Sequence, residues 1–244
     1  MELESFISKT SVNKFASLID HTLLKPSADL KLLEKYVEDT RKYKFKTLVL
    51  PLSLIPLAKS ISGNTIRYAT VVGFPLGTTT TEVKAYEALQ AAEIGVSEID
   101  MVINISLLKS GRYDEALRDI RDVVAIAKKN GVEVVKVIIE TGLLTDEEKV
   151  KATELVVKAG ADYVKTCTGF LGGEATIHDV SLLYRVARGR AKVKAAGGIR
   201  HALDAIVMIL AGASRIGTSS GDKIIEEYIA LKERGYIAPT SQRW

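Results

Sequence analysis

The sequence predicts an α/β protein folded as a (β/α)8, or TIM, barrel, and three observations predict it. Eight short apolar runs alternate with segments of helical periodicity, and their starts recur at intervals of roughly 20 to 36 residues. The runs are almost continuously apolar, as in Leu48-Val-Leu50, which suits a parallel sheet covered on both faces. A chain of 244 residues is the size of one such barrel, and no linker or low-complexity segment divides it. An open doubly wound sheet is the competing arrangement, but no Gly-x-Gly-x-x-Gly follows the first run. One domain, 1–244, is expected.

Taken in order, residues 3–15 read as a short amphipathic helix, so that 1–15 precedes the barrel as an extra N-terminal helix. Strands are expected near 18–20, 47–50, 67–72, 98–103, 134–139, 163–165, 192–195 and 214–217. Helical patterns lie between them at 29–42, 81–94, 113–129, 145–159, 176–187, 201–210 and 223–233, with a shorter helix after Pro51. Several open on a capping residue; Thr145-Asp-Glu-Glu148 has the capping-box spacing, in which hydroxyl and carboxylate satisfy orphan amides at the helix start. Phe74-Pro-Leu-Gly77 reads as a rigid turn beside the pocket.

Composition narrows the function. Hydrophobic residues make up 47% and charged residues 26%, ordinary for a globular protein with a sizeable core. The formal charge of +4 suits an anionic small molecule and is too weak for a nucleic-acid footprint. Cys167 is the one cysteine, so no intramolecular disulfide exists. No apolar run approaches the ~18 residues of a membrane span, and Met1-Glu-Leu-Glu lacks the basic start of a signal peptide. A cytoplasmic protein without nucleic-acid or membrane partners is expected.

The chemistry is expected at the C-terminal ends of the strands, where such barrels hold their sites. Ala161-Asp-Tyr-Val-Lys165 delivers a lysine at the end of a buried strand, and Val193-Lys194 repeats the design on the next. A free lysine is neutral in only roughly one molecule in 2,500 at pH 7, and bringing its pKa to ~7 requires about 4.6 kcal/mol against the charged form. A low-polarity pocket and a second cation supply this, and the neutral amine then attacks carbonyls to form a Schiff base. Parallel neighbours lie about 4.8 Å apart, so Lys194 can be that second cation. Asp100, a carboxylate inside an apolar run, reads as a proton-transfer partner of the lysines, and Asp20 as a further relay. Glu140 reads as a supporting residue. Gly197-Gly198 and Gly217-Thr-Ser-Ser-Gly221 follow the last two strands and precede helices, where backbone amides cup a phosphate; Ser219 and Ser220 add hydroxyls. No ligand-spaced pair occurs among His21, His178 and His201, so no metal is expected. Cys167 has no histidine base near it in sequence and reads as a packed residue.

At these residues the chain resembles the deoxyribose-phosphate aldolases. The resemblance runs from about Leu18 to Ser220 through Ile19-Asp-His-Thr-Leu-Leu24, Val72-Gly-Phe-Pro-Leu-Gly77, Glu98-Ile-Asp-Met-Val102, Lys136-Val-Ile-Ile-Glu-Thr-Gly142, Lys165-Thr-Cys-Thr-Gly-Phe170, Val193-Lys-Ala-Ala-Gly-Gly-Ile-Arg200 and Arg215-Ile-Gly-Thr-Ser-Ser220. It implies a lyase that reversibly cleaves 2-deoxy-D-ribose 5-phosphate to D-glyceraldehyde 3-phosphate and acetaldehyde, without cofactor or metal. It implies Lys165 as the Schiff-base residue, Lys194 as its pKa-lowering neighbour, Asp100 as the acid/base carboxylate, and Thr168, Gly169, Gly197, Gly198, Ser219 and Ser220 at the sugar phosphate. A homodimer or homotetramer is implied in the same way. Three positions depart from the pattern: Phe170 stands where some members carry a phosphate-binding lysine, Cys167 where many carry serine, and the chain ends Ser241-Gln-Arg-Trp244 where some end in tyrosine. The rival readings are an isomerase using Asp100 and Glu140 as acid and base, and a non-catalytic sugar-phosphate binder.

Overall fold

The eight apolar runs form strands because their β-branched and aliphatic residues fit a pleated surface buried on both faces. The computed structural model describes residues 2–63 and 65–234. The strands are β1 Ile19–Thr22, β2 Thr47–Val49, β3 Tyr68–Val72, β4 Glu98–Val102, β5 Val134–Ile138, β6 Tyr163–Lys165, β7 Lys192–Ala196 and β8 Arg215–Thr218. All are parallel, each pairs with the next, and β8 pairs back to β1, closing the barrel. Strand alternation then sorts side chains into two environments. Ile99, Met101, Val135, Val137, Val164, Val193, Ala195 and Ile216 join the apolar core between sheet and helices. The intervening Glu98, Asp100, Lys136, Lys165, Lys194 and Arg215 meet one another inside the barrel.

The helices that follow the eight strands are α3 Leu30–Tyr43, α4 Ile55–Ser62, α5 Thr81–Glu93, α7 Tyr113–Lys129, α8 Asp146–Lys158, α9 Ile177–Ala187, α10 Ala202–Leu210 and α11 Gly221–Arg234. A short α6, Ile105–Lys109, is an element the pattern did not predict; Asn104 caps it, its Oδ1 accepting the Leu107 amide at 3.3 Å. The expected capping box at Thr145 forms, with the Glu148 carboxylate accepting the Thr145 amide at 2.8 Å.

The expected single N-terminal helix is two, α1 Glu2–Lys9 and α2 Val12–Ala16. Ser11 divides them, because its hydroxyl caps the second helix by accepting the Lys14 amide at 3.2 Å. Both are tied to α11: the Phe15 ring stacks on Tyr228 at 3.9 Å, and the Tyr228 hydroxyl and Lys232 ammonium both donate to the Thr10 carbonyl at 2.9 Å.

Candidate active site

Register places the two lysines side by side: Lys165 is paired with Lys194 across β6 and β7, and Asp100 with Lys136 across β4 and β5. Their side chains converge on one carboxylate. Lys165 Nζ and Lys194 Nζ each lie 2.7 Å from Asp100 Oδ2, and Lys136 Nζ donates to Asp100 Oδ1 at 2.9 Å. Lys194 also lies 2.6 Å from Asp20 Oδ2. Arg215 Nη1 donates to Asp20 Oδ1 at 2.7 Å and Glu98 Oε2 at 3.0 Å, and Glu98 Oε2 is 2.6 Å from Lys136 Nζ. Four cations thus share three carboxylates, giving a formal charge of 4 − 3 = +1 when all are ionised. Of these cations, one can shed its proton and leave the buried cluster neutral.

That cation is Lys165. Burial lowers its pKa most; Asp100 pulls it up, and the charges of Lys194 and Lys136 push it down, leaving it at about 8. At that value about one amine in ten is neutral at pH 7, against roughly one in 2,500 for an ordinary lysine. Asp100 is fully buried, which raises its pKa, but Lys136, Lys165 and Lys194 together hold it well below the usual carboxylate range. Asp20 is likewise lowered, by Lys194, Lys136 and Arg215 acting against burial.

Above this cluster opens a cavity of about 550 Å³ at the C-terminal ends of the strands. Lys165 reaches it from below, and Thr168, Gly169, Gly197, Gly198 and Ser219 line it. Gly197 and Gly198 have φ of +102° and +75°, a turn that side chains resist and that leaves backbone amides free to face a ligand. Ser220 stands just outside the lining, its amide donating to Thr218 Oγ1 at 2.9 Å. Close approach explains a further glycine: a Cβ on Gly217 would sit 2.9 Å from Lys194 Cε, so a side chain there would displace the lysine. Glu140, in a left-handed conformation at φ 55°, holds the loop after Lys165: its Oε2 accepts from the Thr168 amide at 2.9 Å and hydroxyl at 2.6 Å.

A strand-end lysine with a lowered pKa beneath a cavity is chemistry suited to carbonyl substrates. Comparison with known proteins agrees. Residues 15–227 match the family described as DeoC/LacD family aldolase. The chain belongs to that family. It is therefore a lyase of the aldolase type, and the isomerase reading has no support. The deoxyribose-phosphate aldolase of Carboxydothermus hydrogenoformans is 53% identical over 222 residues, covering 90% of this chain and 97% of that protein. That of Caldanaerobacter subterraneus is 49% identical over 219 residues, covering 89% and 95%. Among solved structures, the tetrameric deoxyribose phosphate aldolase from Aeropyrum pernix superposes with a TM-score of 0.84 at 34% identity, covering 94% of this chain and 97% of that one.

The geometry also marks what the sequence patterns missed in this aldolase. Glu98, Lys136 and Arg215 lie within the apolar runs and matching motifs with no role marked by sequence, yet each is a buried member of the ionic cluster. An isolated charge inside an apolar run was the signal, the one that did single out Asp100. His21, next to Asp20, points the other way: it stacks on Tyr36 at 4.2 Å under α3, and burial brings its pKa down to about 3. Cys167 is buried, 3.3 Å from Thr141 Oγ1. His178, far from any ligand-spaced partner in sequence, meets Asp146 at 2.6 Å, with Asp179 close by. The Lys149 ammonium lies 3.1 Å from Asp146 and 2.7 Å from Asp179 and supplies positive charge there. Phe74 packs edge-on against Phe170 at 5.1 Å, and it is Phe170 that lines the cavity. The C-terminal residues Ser241 to Trp244 lie outside the described residues.

Proposed function

We propose that this chain is a class I aldolase acting on 2-deoxy-D-ribose 5-phosphate, with Lys165 as the Schiff-base residue. One observation carries the reading: Lys165, 4% exposed, projects its amine from the barrel interior to the floor of the cavity with its pKa brought to about 8. The substrate class is supported by the names of the relatives at about half identity.

In the cleavage direction the neutral Lys165 amine adds to C1 of the open-chain sugar, and the C1 oxygen, taking up one proton from solvent, leaves as water to give a cationic imine. The hydroxyl proton on C3 passes through water towards Asp100, the C2–C3 bond breaks, and its electrons move into the imine. Glyceraldehyde 3-phosphate leaves with C3 as its aldehyde. The remaining enamine takes a proton at C2, delivered from Lys194 through the Asp100 carboxylate and water, and hydrolysis releases acetaldehyde. Asp100, ionised by three lysines, acts as acceptor and orienter, while Asp20 holds Lys194 in line. No cofactor or metal enters these steps. The reading includes a cytoplasmic homodimer or homotetramer, an assembly supported by the tetrameric relative; none of the described helices is long and apolar enough to cross a membrane.

The phosphate is assigned to the amides of Gly169, Gly197, Gly198 and Ser219 and to the hydroxyls of Ser219 and Ser220, beside Thr168. Because Phe170 brings no charge, the counter-cations are assigned to Lys25 and Arg200, exposed side chains that line the same cavity with no carboxylate partner among the described residues. Lys25→Ala is expected to raise KM for deoxyribose 5-phosphate about tenfold while leaving kcat and the turnover of unphosphorylated deoxyribose unchanged. An unchanged KM would remove Lys25 from the phosphate site.

The decisive test is intact mass and peptide mapping after incubation of the wild-type protein with acetaldehyde and borohydride. A single ethyl group on Lys165 is expected. No adduct, or adducts spread over surface lysines, would discard the Schiff-base reading.

A further inference from the structure

At the opposite end of the barrel, below the N-terminal ends of the strands, lies a second polar cavity of about 400 Å³. Glu98 and Arg215 form its inner wall, and Lys46, Arg67, Arg190 and Lys192 stand around them. No residue of the upper cavity lines this one, so Glu98 and Arg215 have no route to substrate. Yet both are members of the catalytic cluster. Glu98 bonds Lys136, which bonds Asp100; Arg215 bonds Asp20, which meets Lys194. Glu98 and Arg215 also bond each other, at 3.0 Å, and Arg215 lies 3.5 Å from the Tyr163 hydroxyl.

We propose that Glu98 and Arg215 are positioning residues whose opposite charges set, from the far side of the cluster, how readily Lys165 gives up its proton. This inference rests on the aldolase reading for its consequence in turnover. The charged groups that meet Lys165 directly or through one partner are Asp100, Lys136 and Lys194, with Asp20 one contact further on; the cluster carries +1 when all its members are ionised. Losing the Glu98 carboxylate makes it +2 and favours release of the Lys165 proton. Losing the Arg215 guanidinium makes it 0 and favours retention. Glu98 stands three contacts from Lys165 and Arg215 four, and in a buried site a unit charge at that remove still shifts such an equilibrium by on the order of one pH unit.

The experiment follows imine formation at Lys165, by borohydride trapping of acetaldehyde, and kcat/KM as functions of pH in four proteins. Glu98→Gln, nearly isosteric, is expected to move the acid limb of both profiles down by about one pH unit. Arg215→Gln is expected to move it up by a similar amount. The double variant Glu98→Gln/Arg215→Gln keeps the formal charge at +1 and is expected to restore the wild-type position. Limbs that stay put in both single variants, or move the same way in both, overturn the inference; a purely structural role would lower thermal stability and turnover without opposite pH shifts. Should Arg215→Gln fail to fold, Glu98→Gln alone decides by whether its limb moves down. If wild-type Lys165 forms no imine, the Schiff-base reading falls by itself. The pH dependence of trace acetylation at Lys165, which needs no substrate, then still shows whether the two substitutions shift its titration.

Discussion

Lys165→Ala is expected to abolish aldol cleavage to the level of the uncatalysed reaction, and Lys194→Met to lower kcat by about 10³-fold or more, both without loss of fold. The first removes the proposed nucleophile, and no other described lysine reaches the floor of the upper cavity. The second acts twice. Without the Lys194 charge, the pull of Asp100 on the Lys165 proton is less opposed, and each pKa unit gained costs tenfold in neutral amine at pH 7. Loss of the proposed proton donor removes a further factor of about 10² to 10⁴. Stability is expected to survive because Asp100 keeps Lys165 and Lys136, Asp20 keeps Arg215, and the cluster falls from +1 to 0. Steady-state kinetics with melting temperatures check both. Turnover in Lys194→Met within tenfold of wild type would remove Lys194 from the mechanism.

The largest effect on stability is expected away from the site. Lys84 on α5 lies 2.6 Å from Asp119 on α7, with both side chains buried, and it donates to the Val102 carbonyl at the end of β4 at 3.0 Å. Asp119 has one further bond, from the Thr81 hydroxyl at 2.9 Å. Lys84→Met therefore leaves a buried carboxylate with a single neutral partner, which costs about 3–5 kcal/mol. For a chain of this size that is a fall of roughly 10 °C in Tm. Lys84→Met/Asp119→Leu, which removes both charges and keeps apolar volume, is expected to regain most of the loss. Calorimetry on the three proteins checks it: a single variant within about 2 °C of wild type would show that the pair contributes little.

Legibility varied with the range of the physics involved. Strand and helix positions were readable because hydrophobic period is a local property: β6 is Tyr163–Lys165 and α7 is Tyr113–Lys129, as the pattern predicts. The break at Ser11 was not readable, since a serine inside an amphipathic pattern either caps or rides the surface, and packing of Phe15 on Tyr228 decides which. Lys165 and Lys194 were legible because the same expensive choice, a lysine ending an apolar strand, occurs twice. Ser219 lines the cavity while Ser220 turns its amide to Thr218, a difference made by the turn and not by residue type.

By itself, then, the sequence determined the barrel, its order of elements and the two lysines, all set by local periodicity, chain length and the cost of burying charge. Only the tertiary structure decided the charge balance that brings the Lys165 pKa to about 8. Asp20 and Arg215 are 195 residues apart and meet only because β8 closes on β1; Glu98 and Arg215, 117 apart, meet only across the interior. Coulomb energy depends on separation in space and on the dielectric around it, and neither exists until the barrel is closed.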